Sequence, residues 1–107
     1  MRDRQPCTHI LASQKNGTLY IGVTSDLAAR LAQHRDEASL GFASRHGAIR
    51  PVHAEAFDRM DEAIAREKQL KRWRRAWKIA LIEEHNPDWG DLGIQWGLVE
   101  PRSRTDE

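Results

Sequence analysis

Residues 7–23 read CTHILASQKNGTLYIGV, and the Asn16-Gly17 pair at their centre constrains the chain more than any other feature. Both residue types tolerate positive φ, which makes the dipeptide a strong short-range signal for a hairpin turn. The flanking runs CTHILA (7–12) and TLYIGV (18–23) carry strand-type composition. An antiparallel hairpin fixes parity. Whether the loop has two residues, Asn16 and Gly17, or four, Gln14 to Gly17, cross-strand partners sum to an odd number, so His9 and Tyr20 project from one face. The four-residue loop sets His9 directly opposite Gly22, whose missing side chain leaves room for the ring. An odd-length loop would send His9 and Tyr20 to opposite faces.

The segments that follow alternate in type. Thr24, Ser25 and Asp26 offer N-cap oxygens, and Leu27, Leu31 and His34 then recur at helical spacing. Arg30 stands three residues after Leu27 and four before His34, so all three share a face, which also carries Leu31. Arg30 at that border is equally consistent with a guanidinium snorkelling over the core. The polar stretch from Arg35 to Arg50, with Gly41 and Gly47, reads as a loop with room for one helical turn, and Pro51 to Phe57 as a third strand with proline at its start. Asp58 or Asp61 opens a long helix through about Arg75, and a second helical segment reaches His85, where Asn86-Pro87 stops it. After Trp89 the pattern fades. The expected fold is α+β: a small three-stranded antiparallel sheet flanked by helices in the order β-β-α-β-α-α. Residues 1–97 form one domain, and 98–107 read as a disordered tail.

Composition narrows the function classes. With Cys7 as the single cysteine, a disulfide framework is impossible and a cysteine-based zinc site is disfavoured. No apolar run nears the roughly 20 residues that span a bilayer, and MRDRQPC lacks the apolar region of a signal peptide. These features fit a reduced, cytoplasmic protein. The net charge of +1 hides an asymmetry, because Arg66 to Lys78 holds seven cations against Glu67 alone. Interleaved with Trp73 and Trp77, that stripe has the character of a phosphate-backbone surface; the competing reading is a solvated helix face. Lys71, Arg72, Arg74 and Arg75 are its candidate nucleic-acid contacts, positioning a backbone without reading sequence. One tryptophan of the pair is expected in the core. Trp89 and Trp96 are expected to pin the C-terminal segment, and His53 and His85 to be structural or exposed.

Glu67 is the most informative single residue. It falls inside the stripe Ala63, Ile64, Leu70, Trp77, where a carboxylate must find a partner or neutralise, since an unpaired buried charge costs several kcal/mol. Arg30, a lysine or a divalent cation could serve; an i,i+4 pair with Lys71 would leave Glu67 exposed at the rim. A lone carboxylate beside cations suits magnesium, which fills its shell with water and phosphate oxygens. A phenol or imidazole to activate water and a guanidinium to take developing charge complete the parts of phosphodiester hydrolysis.

These residues resemble the GIY-YIG nuclease superfamily, and its small stand-alone bacterial members in particular. The second half-motif stands as Tyr20-Ile21-Gly22, followed at the family's spacing by Arg30 in DLAARLAQH and by His34. EAIAREKQLKRWRRAWKIALIEEHNPDW (62–89) is similar to the C-terminal part of those small proteins, with Glu67 in the place of the metal-binding glutamate. The resemblance covers roughly residues 7–92. It implies a DNA endonuclease using one divalent ion, Mg2+ or Mn2+, held by Glu67; Tyr20 takes part in activating water, Arg30 contacts the scissile phosphate, and His34 completes the match.

Two positions depart from that pattern. Cys7-Thr8-His9 stands where the first half-motif carries its tyrosine, so His9 takes the tyrosine's place, and His46 in GFASRHG (41–47) stands where another tyrosine is usual. An imidazole titrates near neutrality and serves as a base more readily than a phenol, so His9 preserves the chemistry by another route or marks a member that binds without cutting. A catalytic endonuclease acting on DNA (or RNA), a non-catalytic nucleic-acid-binding module on the same scaffold, and a protein-interaction domain with an acidic partner are the three readings the sequence leaves.

Overall fold

The hairpin closes through a four-residue loop, Gln14 to Gly17, in a computed structural model that describes residues 5–39 and 50–97, with side chains from 34 to 39 left aside. Strands β1 (Cys7–Ala12) and β2 (Leu19–Thr24) pair antiparallel from Cys7↔Thr24 to Ala12↔Leu19. Ser13 N–H donates to Thr18 O at 3.1 Å, Gly17 N–H to Gln14 O at 2.9 Å, and Thr18 N–H to Ser13 Oγ at 3.0 Å. Asn16 takes the left-handed conformation, φ 61°. Gly17 is required by proximity, because a Cβ there would lie 2.4 Å from Ser13 Oγ. His9 therefore pairs with Gly22, as the four-residue alternative requires.

β3 (Arg50–Ala56) pairs antiparallel with β1, giving the order β2-β1-β3 with β1 central and buried throughout. Ile10 faces His53 and Leu11 faces Pro51, so Val52 is the extra residue of a bulge. Pro51 sits on an edge strand, where a missing N–H breaks no ladder. Helix α1 (Leu27–Ser39) lies between β2 and β3 in the chain. Its N-terminus is capped by Asp26, whose Oδ1 accepts from Ala29 N–H at 3.1 Å. The helix continues five residues past His34, so the start of the expected 35–50 loop is helical; the rest of that loop, including 41–47 with His46, and the 98–107 tail lie outside the described residues.

Alternation divides the sheet. Thr8, Ile10 and Ala12, with Leu19 and Ile21, face α2 (Met60–Arg72) and α3 (Arg75–His85); Thr8 Oγ1 donates to Ala63 O at 2.7 Å. Ile10, Ala12, Val52, Leu70, Ile82 and Trp89 form the core there. On the other face, Leu31 of α1 and Gly93 of the short α4 (Leu92–Gln95) meet at Pro51: a Cβ on Gly93 would lie 3.1 Å from Leu31 Cδ1 and 3.3 Å from Pro51 Cγ.

Two boundaries differ from the sequence reading. Arg59, not an aspartate, is the N-cap residue of α2, and its side chain pairs with Asp61 at 3.0 Å. The long helix stops at Arg72: Trp73 and Arg74 are extended, with ψ of 150° and 152°, and α3 starts afresh. No glycine or proline marks that break. Trp73 turns its indole against the core, with the Arg66 guanidinium 5.0 Å from the ring centroid and Trp77 edge-on at 6.0 Å.

The Asn86 stop is built as expected and also ties the C-terminal segment down. Its Nδ2 donates to Val52 O at 3.2 Å and Gly90 O at 3.0 Å, and its Oδ1 accepts from Gly90 N–H at 3.1 Å. Three residues on, Trp89 adopts φ 59°, a conformation that costs roughly 1–2 kcal/mol. Full burial of the indole outweighs it, at roughly 4 kcal/mol or more, and its Nε1 donates to Glu83 at 2.7 Å. Trp96, the other expected pin, is largely exposed. Asn86→Ala strands buried backbone groups of β3 and the 86–90 turn and is expected to cost about 2–3 kcal/mol in urea unfolding at unchanged m; a loss under about 0.5 kcal/mol would contradict that role.

Candidate active site

The β1–β2 register brings two of the candidate residues to one face. His9, only 3% exposed, stands opposite Gly22, and a Cβ on Gly22 would lie 2.9 Å from His9 Nε2 and 3.1 Å from Cε1. The imidazole thus rests on bare backbone. Tyr20, half-buried, pairs with Leu11, two residues from His9, so the phenol and imidazole leave the same face of the sheet. On α1, half-buried Arg30 donates from Nη1 to Gln33 Oε1 at 3.0 Å. His34 continues that helix four residues on; its side chain lies outside the described residues.

Glu67 comes from α2, seated on the opposite face of the sheet. Ala63 and Leu70 face the sheet, while Arg66 leans to β3 to reach Glu55. At about 100° per residue, Glu67 flanks the same inward line on the other side and leans toward β2, the strand of Tyr20. Its side chain is 17% exposed and pairs with Lys71 at 3.3 Å. The lysine is therefore its partner rather than Arg30, yet the carboxylate is not left at the rim. The stripe drawn from the sequence needs correction: Ile64 and Trp77 are exposed, because Ile64 lies about 100° from Ala63 and the helix ends before Trp77. Among the described residues no three His, Cys, Asp or Glu side chains gather into a metal-ligand group. A single hard oxygen donor such as Glu67 fits magnesium or manganese, which draw most ligands from water and substrate phosphate.

The basic stripe sorts into engaged and open cations. Arg66 is held by Glu55 and Lys71 by Glu67. The Arg74 guanidinium lies 5.4 Å from the centroid of Trp77, which is 51% exposed. Arg75 Nη2 donates to Asn16 O at 2.7 Å and Gly17 O at 2.6 Å, tying α3 to the hairpin turn. Arg72 stays exposed. Trp73, packed against the core, is the core member of the tryptophan pair.

Sequence reasoning missed the network around Glu55. Its carboxylate accepts from Arg66 Nε at 2.8 Å and Nη2 at 3.0 Å and lies 2.7 Å from His53 Nε2. The His-Ala-Glu spacing in β3 places both side chains on one face and was the available signal. Burial pushes the Glu55 carboxyl up, but the hydrogen bonds from Arg66 and His53 outweigh it and hold it below its ordinary value.

With this geometry in place, comparison with known proteins decides the lineage. The model of the GIY-YIG catalytic domain matches residues 5–80. The chain belongs to the GIY-YIG family. It is 31% identical over 70 residues to a UPF0213 protein of Staphylococcus saprophyticus, covering 65% of this chain and 85% of that one. A UPF0213 protein of Streptococcus pneumoniae serotype 4 is 30% identical over 88 residues, covering 79% and 88%. Among solved structures, that of a UPF0213 protein from Bacillus halodurans superposes with a TM-score of 0.52 at 24% identity, over 84% of this chain and 95% of that one, and shares the fold. Membership of the GIY-YIG family implies a nucleic-acid substrate and nuclease-type chemistry. No helix among the described residues is long and apolar enough to cross a membrane.

Two measurements test the local physics. Because Glu55 has a lowered folded pKa, it contributes stability above the ordinary carboxylate pKa that is lost as pH falls through the lowered value. Glu55→Gln should therefore lower the urea midpoint at pH 7 and show a flatter loss of stability on acidification; parallel pH profiles would contradict this. Gly22→Ala forces the His9 ring aside and is expected to cost about 1–3 kcal/mol. Adding His9→Ala should return much of that loss, and strict additivity would show that the contact is not the cause.

Proposed function

We propose that this chain is a metal-dependent DNA endonuclease that hydrolyses phosphodiester bonds. The observation that carries the reading is Glu67: a carboxylate kept beside the sheet-facing line of α2, 17% exposed, with one exposed lysine as partner. An apolar residue there would pack at no desolvation cost, so the carboxylate fits a site better than a fold requirement.

In this reading Glu67 holds one Mg2+ or Mn2+, with Lys71 yielding the carboxylate. The bound ion supplies Lewis-acid stabilisation of charge on the phosphate. Arg30, oriented by Gln33, places its planar guanidinium on the scissile phosphate and stabilises the charge that develops there. Tyr20 orients the attacking water, and His9, whose imidazole leaves the same face of the sheet, takes the proton that the water gives up; His34 follows Arg30 by four residues in the chain.

A second reading, a nucleic-acid-binding module without turnover, is favoured by one observation. His9 is only 3% exposed, and an imidazole buried on Gly22 reaches less far than a phenol in the same place. Nicking of supercoiled DNA with Mg2+ or Mn2+ separates the two. The endonuclease reading expects activity in the native chain and a loss of at least 100-fold in Glu67→Ala and in Arg30→Ala, with thermal melting preserved. Undiminished cutting by either variant defeats it. Salt-dependent binding without cutting, together with activity gained in His9→Tyr, establishes the binding module instead.

A further inference from the structure

The hairpin turn and the first turn of α3 enclose an open groove of about 540 Å³, lined by Asn16, Gly17, Thr18, Leu19, Arg75 and Lys78. No carboxylate lines it. Arg75 is fixed there, since Nη2 gives its two hydrogens to the carbonyls of Asn16 and Gly17. Its Nε and Nη1 donors have no partner among the described residues. Lys78, three residues on, lies on the same helix face, half-buried and likewise without an acidic partner among them. Lys15 adds a third cation from the turn. The contrast with Arg66 and Lys71, each neutralised by a glutamate, is direct.

A long side chain normally gives up rotamer freedom when it grips a ligand, and Arg75 has already lost it to the turn. Its remaining Nε–H and Nη1–H groups keep fixed directions, and each is open to a single phosphate oxygen. Leu19 of the groove precedes Tyr20, and at about 3.3 Å per strand residue Gly17 lies about 10 Å from Tyr20 along the chain. Leu19 and Tyr20 leave opposite faces of β2, which is an edge strand, so a nucleic-acid strand whose reacting phosphate sits at Tyr20 reaches the groove by passing that open edge.

We propose that this groove is a second phosphodiester-binding site, in which Arg75 and Lys78 grip the backbone of the bound strand a short distance from the reacting phosphate. The proposal rests on the nucleic-acid reading above and adds to it a site outside the catalytic residues. Lys78→Gln is the informative substitution, because Lys78 holds no other part of the described structure; Lys15→Gln/Lys78→Gln extends it.

The test is fluorescence anisotropy of a labelled 12-residue oligothymidylate in EDTA, where cleavage is suppressed, across a salt series, with amide NMR shifts recorded in parallel. For the intact chain, shifts at Asn16, Gly17 and Thr18 are expected. Lys78→Gln should weaken binding about three- to tenfold and reduce the slope of log K against log salt by about 1, and the double variant should reduce it further. Unchanged slope and affinity in both variants, with no shifts at the turn, overturn the groove alone and leave the endonuclease reading standing. Equal competition by a polyglutamate peptide of the same length overturns it in favour of an acidic protein partner. If the intact chain binds no oligonucleotide at low salt, both readings fall. Retained groove binding in a chain that never nicks DNA sinks the endonuclease reading while supporting the site.

Discussion

The pairing register of β1 against β2 governs everything built on this sheet. A four-residue loop closed by Ser13 and Thr18 sets His9 across from Gly22, and that one choice assigns every side chain of both strands to a face. Thr8, Ile10 and Ala12 receive α2 and α3, while His9 and Tyr20 are left together on the other side. A slip by one residue would bury the polar set and expose the core. The turn residues therefore decide which face His9 and Tyr20 occupy, and Arg75, bonded to two of their carbonyls, secures the loop from α3.

The features legible in the sequence were those fixed by local chemistry. Asn16-Gly17, the Asp26 cap and the Asn86 stop each express a backbone requirement that few residues satisfy, and each is found where expected. The features that escaped depend on partners distant in the chain. Arg66 reads as one more cation of a basic stripe until the fold delivers Glu55 to it. The helix break at Trp73 carries no glycine or proline, because tertiary packing of the indole sets it. Trp77 seemed to continue an apolar stripe only while the helix was taken as unbroken. For the candidate site, the residue types and their faces on β1 and β2 were readable; the partner and burial of Glu67 required coordinates.

Charge is distributed with the same economy. Seven cations lie between Arg66 and Lys78, yet the described structure uses several of them internally: one clamps β3, one accompanies Glu67, one covers an indole and one ties the hairpin. A basic stripe is thus partly scaffold, and counting its charges overstates the field offered to a polyanion. What matters for recognition is which guanidinium and ammonium groups keep donors directed outward after the fold has been satisfied.

The placement of the tryptophans has an optical corollary. Trp89 is wholly enclosed and hydrogen-bonded to Glu83, whereas Trp77 stands half in solvent beneath a guanidinium. Their emission should differ in wavelength and in accessibility to aqueous quenchers. With Trp73 and Trp96 replaced by phenylalanine, the remaining two indoles would report separately on loss of the interior and on changes at the exposed surface of α3, without any added label.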